Sequence, residues 1–162
     1  MRDWKTHQDK SKELFKRHIQ HVLERKFNAV IFDVEGSDSH LDISAGIDYL
    51  LKFKDGGCIG VAMRIVSYCN YQNFSIKPHE IQYMKLAKEK DYLCAKIICQ
   101  AFVIAGKLRS YGLITADNLL QAEEKMSYPV IPTRARDTSF CLFDWKKMKQ
   151  ANINFYCWHE DE

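Results

Sequence analysis

The chain holds 162 residues, 46% of them hydrophobic, enough apolar material for the core of one globular domain spanning 1–162. Three prolines and seven glycines argue against long disordered segments. The net charge of +3 is small but uneven: the first 26 residues concentrate basic groups, and the chain closes on the acidic His159-Glu160-Asp161-Glu162.

In chain order, Phe15, Ile19, Val22 and Leu23 form one apolar stripe, which predicts an amphipathic helix from about Gln8 to Arg25. Ala29 to Val34, β-branched and aromatic, reads as a strand. Glu35 to Ala45, rich in Ser and Gly, reads as a loop. Two apolar runs, Ile47 to Phe53 and Ile59 to Ile65, flank Asp55-Gly56-Gly57 and predict a hairpin. Its second strand is expected to run on through Cys69–Asn73 into Phe74-Ser75-Ile76. Pro78 suits the first turn of a helix from His79 to about Asp91, with Glu80 near its positive end. Ala95 to Ile104 reads as a buried strand and Arg109 to Ile114 as another. Thr115 is placed to cap a helix from Ala116 to Met126. Beyond a polar stretch, Thr133 to Ser139, come a strand (Phe140 to Phe143), a short helix (Asp144 to Gln150) and a strand (Ile153 to Trp158), with Trp145 and Trp158 as the core of that unit. The expected class is α/β (α+β): a central mixed sheet flanked by helices, containing one crossover between Ile76 and Ala95. The core covers about 10–126, and a β-α-β extension covers about 127–162.

The six cysteines show neither a CxxC pair nor zinc-finger spacing, and five sit among apolar neighbours as reduced thiols would. The N-terminus lacks an apolar leader, and the longest apolar run, around Ile97 to Ala105, is too short to span a bilayer. A cytoplasmic protein without membrane contact is expected. No phosphate loop, Rossmann fingerprint or G-x-S-x-G elbow is present.

The hairpin carries the chemistry. If Asp55-Gly56-Gly57 form a three-residue loop, Lys54 faces Cys58 and Asp48 lies directly across from Arg64, with Leu50 opposite Ala62 and Lys52 opposite Gly60. A charged group on a strand this apolar needs a partner. Asp48 is therefore either a metal ligand or the structural ion-pair partner of Arg64. Arg64 has the geometry to hold a phosphate bidentately. Gln100, within an apolar strand, is either a satisfied core amide or a site residue. Asp42 is either a turn residue or a second metal ligand. Tyr68, Tyr71 and Phe74 either pack or stack on bases.

The order α-β-β-β-α-β over roughly residues 10–125 resembles the core of the PD-(D/E)XK, or restriction-endonuclease-like, nuclease superfamily. Gly46-Ile47-Asp48 is similar to the tripeptide with which many members open the strand bearing the metal-binding Asp. Gly60-Val61-Ala62-Met63-Arg64 stands where those members carry (D/E)-x-K, so Ala62 and Arg64 depart from the motif. The resemblance implies phosphodiester hydrolysis with Mg²⁺ or Mn²⁺ held through hard oxygens at Asp48 and Asp42. It makes Asp48, Arg64, Gln100 and Lys52 the catalytic candidates. Arg64 positions or polarises but cannot serve as a base. Glu35, Glu80, Glu13 and Glu24 are candidates for a displaced carboxylate, and Lys52 or Lys77 for a displaced lysine. Lys12, Lys16, Arg17 and Lys77 are the candidate nucleic-acid contacts. The alternative is a catalytically degenerate member that binds nucleic acid or a protein partner, with Asp48–Arg64 as a structural pair.

Overall fold

The computed structural model describes residues 4–34, 46–132 and 139–160. The N-terminal helix is continuous but not uniform: α1 (Trp4–Leu14), a π-helical turn (Phe15–Ile19) and α2 (Gln20–Phe27). The wider π turn keeps Phe15 and Ile19, four residues apart, on one side, where both are buried with Leu23. Asn28, in the left-handed region at φ 49°, ends the helix.

A six-stranded sheet follows, in the order β1 (Ala29–Asp33), β2 (Tyr49–Phe53), β3 (Cys58–Val66), β5 (Ile97–Ile104), β6 (Lys107–Thr115), β9 (Tyr156–His159). Among the described strands only β3 and β5 pair in parallel, so the sheet is mixed, as expected. The crossover between them contains β4 (Asn73–Ile76) and a helix, α3 (Pro78–Lys90). β4 does not extend the hairpin. It leaves the central sheet and pairs with β8 (Ser139–Asp144), which pairs with β7 (Val130–Pro132) in a second, three-stranded sheet. The helices α4 (Ala116–Lys125) and α5 (Trp145–Gln150) complete the chain. Thr115 caps α4 by accepting the Asn118 N–H at 3.2 Å, and Asp144 caps α5 by accepting the Lys147 N–H at 2.9 Å.

Each face of the central sheet has its own core. Odd-numbered residues (Tyr49, Leu51, Val61, Cys99, Ala101, Tyr111, Leu113) meet Phe15, Ile19 and Leu23 of the N-terminal helix, with Phe15 stacked on Tyr49 at 3.9 Å. Even-numbered residues (Val66, Ile98, Phe102, Ile114) meet β4, α3, α4, β8 and α5. β5 is buried on both faces, as its continuous apolar run predicts. Trp145 belongs to the second core. Trp158, expected beside it, packs instead with the first, because β9 joins the edge of the central sheet while α5 lies across its other face. The extension is thus divided between the two sheets. Among the described residues no helix is long and apolar enough to cross a membrane.

The hairpin register also differs from expectation. Leu50 pairs with Gly60 and Lys52 with Cys58. The loop is therefore Lys54-Asp55-Gly56: Phe53 N–H donates to Gly57 O at 2.8 Å, Gly56 has φ 94°, and Asp55 Oδ1 accepts the Gly57 N–H at 2.8 Å. Moving the loop by one residue shifts the pairing by two, a whole pleat period, so every side chain keeps its face.

One glycine lets two rings pack directly against the sheet. A Cβ at Gly112 would sit 2.6 Å from Trp145 Cζ2 and 2.9 Å from Phe74 Cζ, both on fully or nearly buried rings. Gly112→Ala should therefore destabilise the protein by about 1–3 kcal/mol through overpacking. Chemical denaturation measures this directly, and an unchanged midpoint would mean that Trp145 is free to move.

Candidate functional site

β3 continues to Val66, but β2 last pairs with it at Val61. The chain just before β2 fills the gap at that step. Asp48 donates its N–H to Val61 O at 2.9 Å, accepts the Val34 N–H on its carbonyl at 3.4 Å, and accepts the Met63 N–H on Oδ2 at 2.7 Å. The carboxylate thus takes the place of a missing strand, satisfying a backbone donor that β2 no longer reaches.

The step opens a cleft of about 450 Å³. Asp48 enters it from the start of β2, Arg64 from β3 and Gln100 from β5, with Lys77 and Glu80 from the start of α3. Arg64 and Gln100 are direct partners in the parallel β3–β5 register, which puts both on the even face. Gln100 is 1% exposed and fully engaged: Oε1 accepts the Ser75 N–H at 2.6 Å and Nε2 donates to Ser75 Oγ at 3.1 Å. This amide ties the central sheet to the second sheet.

Arg64 is half-buried, its guanidinium lying over the Phe140 ring at 3.9 Å while its Nε has no hydrogen-bond partner. Burial draws its pKa down, opposed by Tyr68 and Glu80. Glu80 is thus a charge that Arg64 senses, although among the described residues no ion pair within 4 Å joins the two. The two-residue register shift removes the direct pairing that the sequence predicted. Glu80 has its own carboxyl pushed above the ordinary range by burial, with Lys77, His79 and Arg64 pulling it back.

Other sequence candidates lie elsewhere. Lys52 is exposed at the far end of β2, in a separate depression with Glu24 and Asn28. Lys12 is 3.7 Å from Asp33, Arg17 pairs with Glu13 at 3.1 Å, and Lys16 is exposed; of the N-terminal helix, Ser11 lines the cleft. Glu24 accepts the Ile31 N–H at 3.2 Å. Asp42 and Glu35 lie outside the described residues.

No three His, Cys, Asp or Glu side chains converge among the described residues. A cation in this cleft would rest on Asp48 and Glu80. Both are hard oxygen donors, and Mg²⁺ is commonly held by one or two carboxylates with waters and substrate phosphates completing its shell. The donor set fits Mg²⁺ or Mn²⁺ and not a zinc site. The sequence offered Glu80 as one of several displaced carboxylates. What singles it out is its place three residues after Lys77, on the first turn of a helix aimed at the same cleft.

No protein-family model matches the chain, and no curated protein matches its sequence. Among solved structures, a nuclease from a fusselovirus matches over 94% of this chain and 94% of that one, with 10% identity and a TM-score of 0.46. That distance carries no residue roles from one chain to the other.

Because folding raises the Glu80 pKa, the unfolded chain ionises first as pH rises, and the buried charge then costs stability between the unfolded and folded values. In chelator-treated protein, Glu80→Gln should raise the melting temperature at neutral pH. The gain should shrink as pH falls below the ordinary carboxylate range near 4.3. A gain independent of pH would show that Glu80 is not destabilised by its burial.

Proposed function

We propose that this chain is a nuclease-like protein acting on nucleic acid at the cleft, hydrolysing phosphodiester bonds with Mg²⁺ or Mn²⁺. The observation that carries this reading is the meeting of Asp48, Arg64, Lys77 and Glu80, from three separate elements, in one cleft. The resemblance to the PD-(D/E)XK nucleases supports it independently, through the order of elements and through Gly46-Ile47-Asp48.

Asp48 and Glu80 would hold the cation, Glu80 supplying from α3 the carboxylate that Ala62 lacks on β3. When bound, such an ion activates a water molecule and stabilises charge developing on the phosphate. Arg64 binds and orients the phosphate; it holds its proton too tightly to act as a base. Lys77 and the N–H groups opening α3 add positive potential on the same side. The cations place the phosphate and the carboxylates place the metal, a division that suits an anionic substrate.

Asp48→Asn isolates the metal role, because the amide oxygen still accepts the Met63 N–H while the charge is gone. Nuclease activity per folded molecule in Mg²⁺ and in Mn²⁺ should fall by about 100-fold or more, since even outer-shell changes at metal sites cost roughly 10–100-fold. Equal activity in the two proteins would refute the role of Asp48. Absence of activity in the wild type, with binding retained, would identify a binding-only protein.

Binding should weaken with salt as counterions are released. Lys77→Gln should reduce the slope of log affinity against log salt by about one, the signature of a lost phosphate contact. An unchanged slope would remove Lys77 from the interface.

A further inference from the structure

Beyond Arg64 the cleft opens into a larger cavity of about 1040 Å³, and the two share Arg64, Ser75 and Gln100 in their walls. The chemistry changes across that wall. Among the described residues, the one charged side chain besides Arg64 that lines the larger cavity is Asp144, whose carboxylate caps α5. The remainder includes Phe102, Phe140, Ile131, Leu142 and two tyrosines. Tyr68 and Tyr71 are 76% and 70% exposed, so their rings contribute little to the core. They stand in the turn between β3 and β4, on the rim of the cavity. Arg64 sits at the junction, its guanidinium over Phe140 and Tyr68 lining the same cavity.

A charged cleft joined to a mainly apolar, aromatic-rimmed cavity matches a ligand with an anionic chain and flat neutral groups beside it. A duplex buries the faces of its bases in its own stack and offers only their edges. Unpaired bases present faces that aromatic rings stack on. We propose that single-stranded nucleic acid is the substrate class of this site, its phosphates at Arg64 and Lys77 and its bases against Tyr68 and Tyr71. This inference rests on the nucleic-acid reading of the cleft and deepens it.

The test compares four ligands of equal length on the full chain in chelating buffer, where no hydrolysis occurs: single-stranded DNA, single-stranded RNA, duplex DNA and an abasic DNA strand. Either single strand should bind at least about tenfold more tightly than the duplex and the abasic strand. In the double variant Tyr68→Ala, Tyr71→Ala, affinity for the single strands should fall by about tenfold or more. Each stacked base contributes roughly 1–3 kcal/mol, and 1.4 kcal/mol is a factor of ten. Duplex and abasic binding, carried by phosphates alone, should not move. Both rings being exposed, the melting temperature of the variant should match the wild type.

If duplex and abasic strand bind as tightly as the single strands, or the double variant binds single strands normally, the base-stacking proposal falls and the nucleic-acid reading stands. If no ligand binds at low salt, both fall together.

Discussion

The hydrogen bond from Met63 N–H to the Asp48 carboxylate, 2.7 Å long, is the constraint on which the site depends. A strand that outlasts its neighbour leaves backbone donors facing a void, and buried donors without partners are costly. Asp48 solves this locally with one side-chain oxygen. The carboxylate is thereby held at the end of β2, beside β3. The cleft exists because β2 stops, and Asp48 is fixed in it because β3 does not.

The opposite wall depends on Gln100. Its amide meets both the N–H and the hydroxyl of Ser75, binding β4 to the even face of the central sheet. β4 leads directly into Lys77 and α3, so this bridge determines where the helix begins and hence where Glu80 points. A polar residue inside the most buried strand of the chain is thus a structural joint at the back of the cleft. Arg64, its neighbour in the ladder, projects between the two cavities and touches both.

The electrostatics follow from the same packing. Arg64 and Glu80 are each penalised by burial; Tyr68 and Glu80 relieve the first, and Lys77, His79 and Arg64 the second. The direct cross-strand pairing that the hairpin suggested, Asp48 opposite Arg64, is not the register adopted: Asp48 accepts from the Met63 backbone, and Arg64 lies over the Phe140 ring. Both side chains line the same cleft.

The elements and their faces were legible in the sequence. Periodicity gave the N-terminal helix, the hairpin, the doubly buried β5 and the two capped helices, because these depend on local propensity and on which side of a pleat or helix is apolar. Alternation also placed Asp48, Ala62 and Arg64 on one face, a result that survived the loop shift because a two-residue slip preserves parity. Long-range packing set the rest. The register turned on which residue took φ 94°, and both Gly56 and Gly57 could offer it. β4 reads as a continuation of the hairpin, yet its partner, β8, lies more than sixty residues later in the chain. Glu80 looked like any acid on a first helical turn until the fold set that turn in the wall of the cleft that Asp48 also lines. Contacts between residues far apart in sequence leave no periodic trace, and this cleft is made of such contacts.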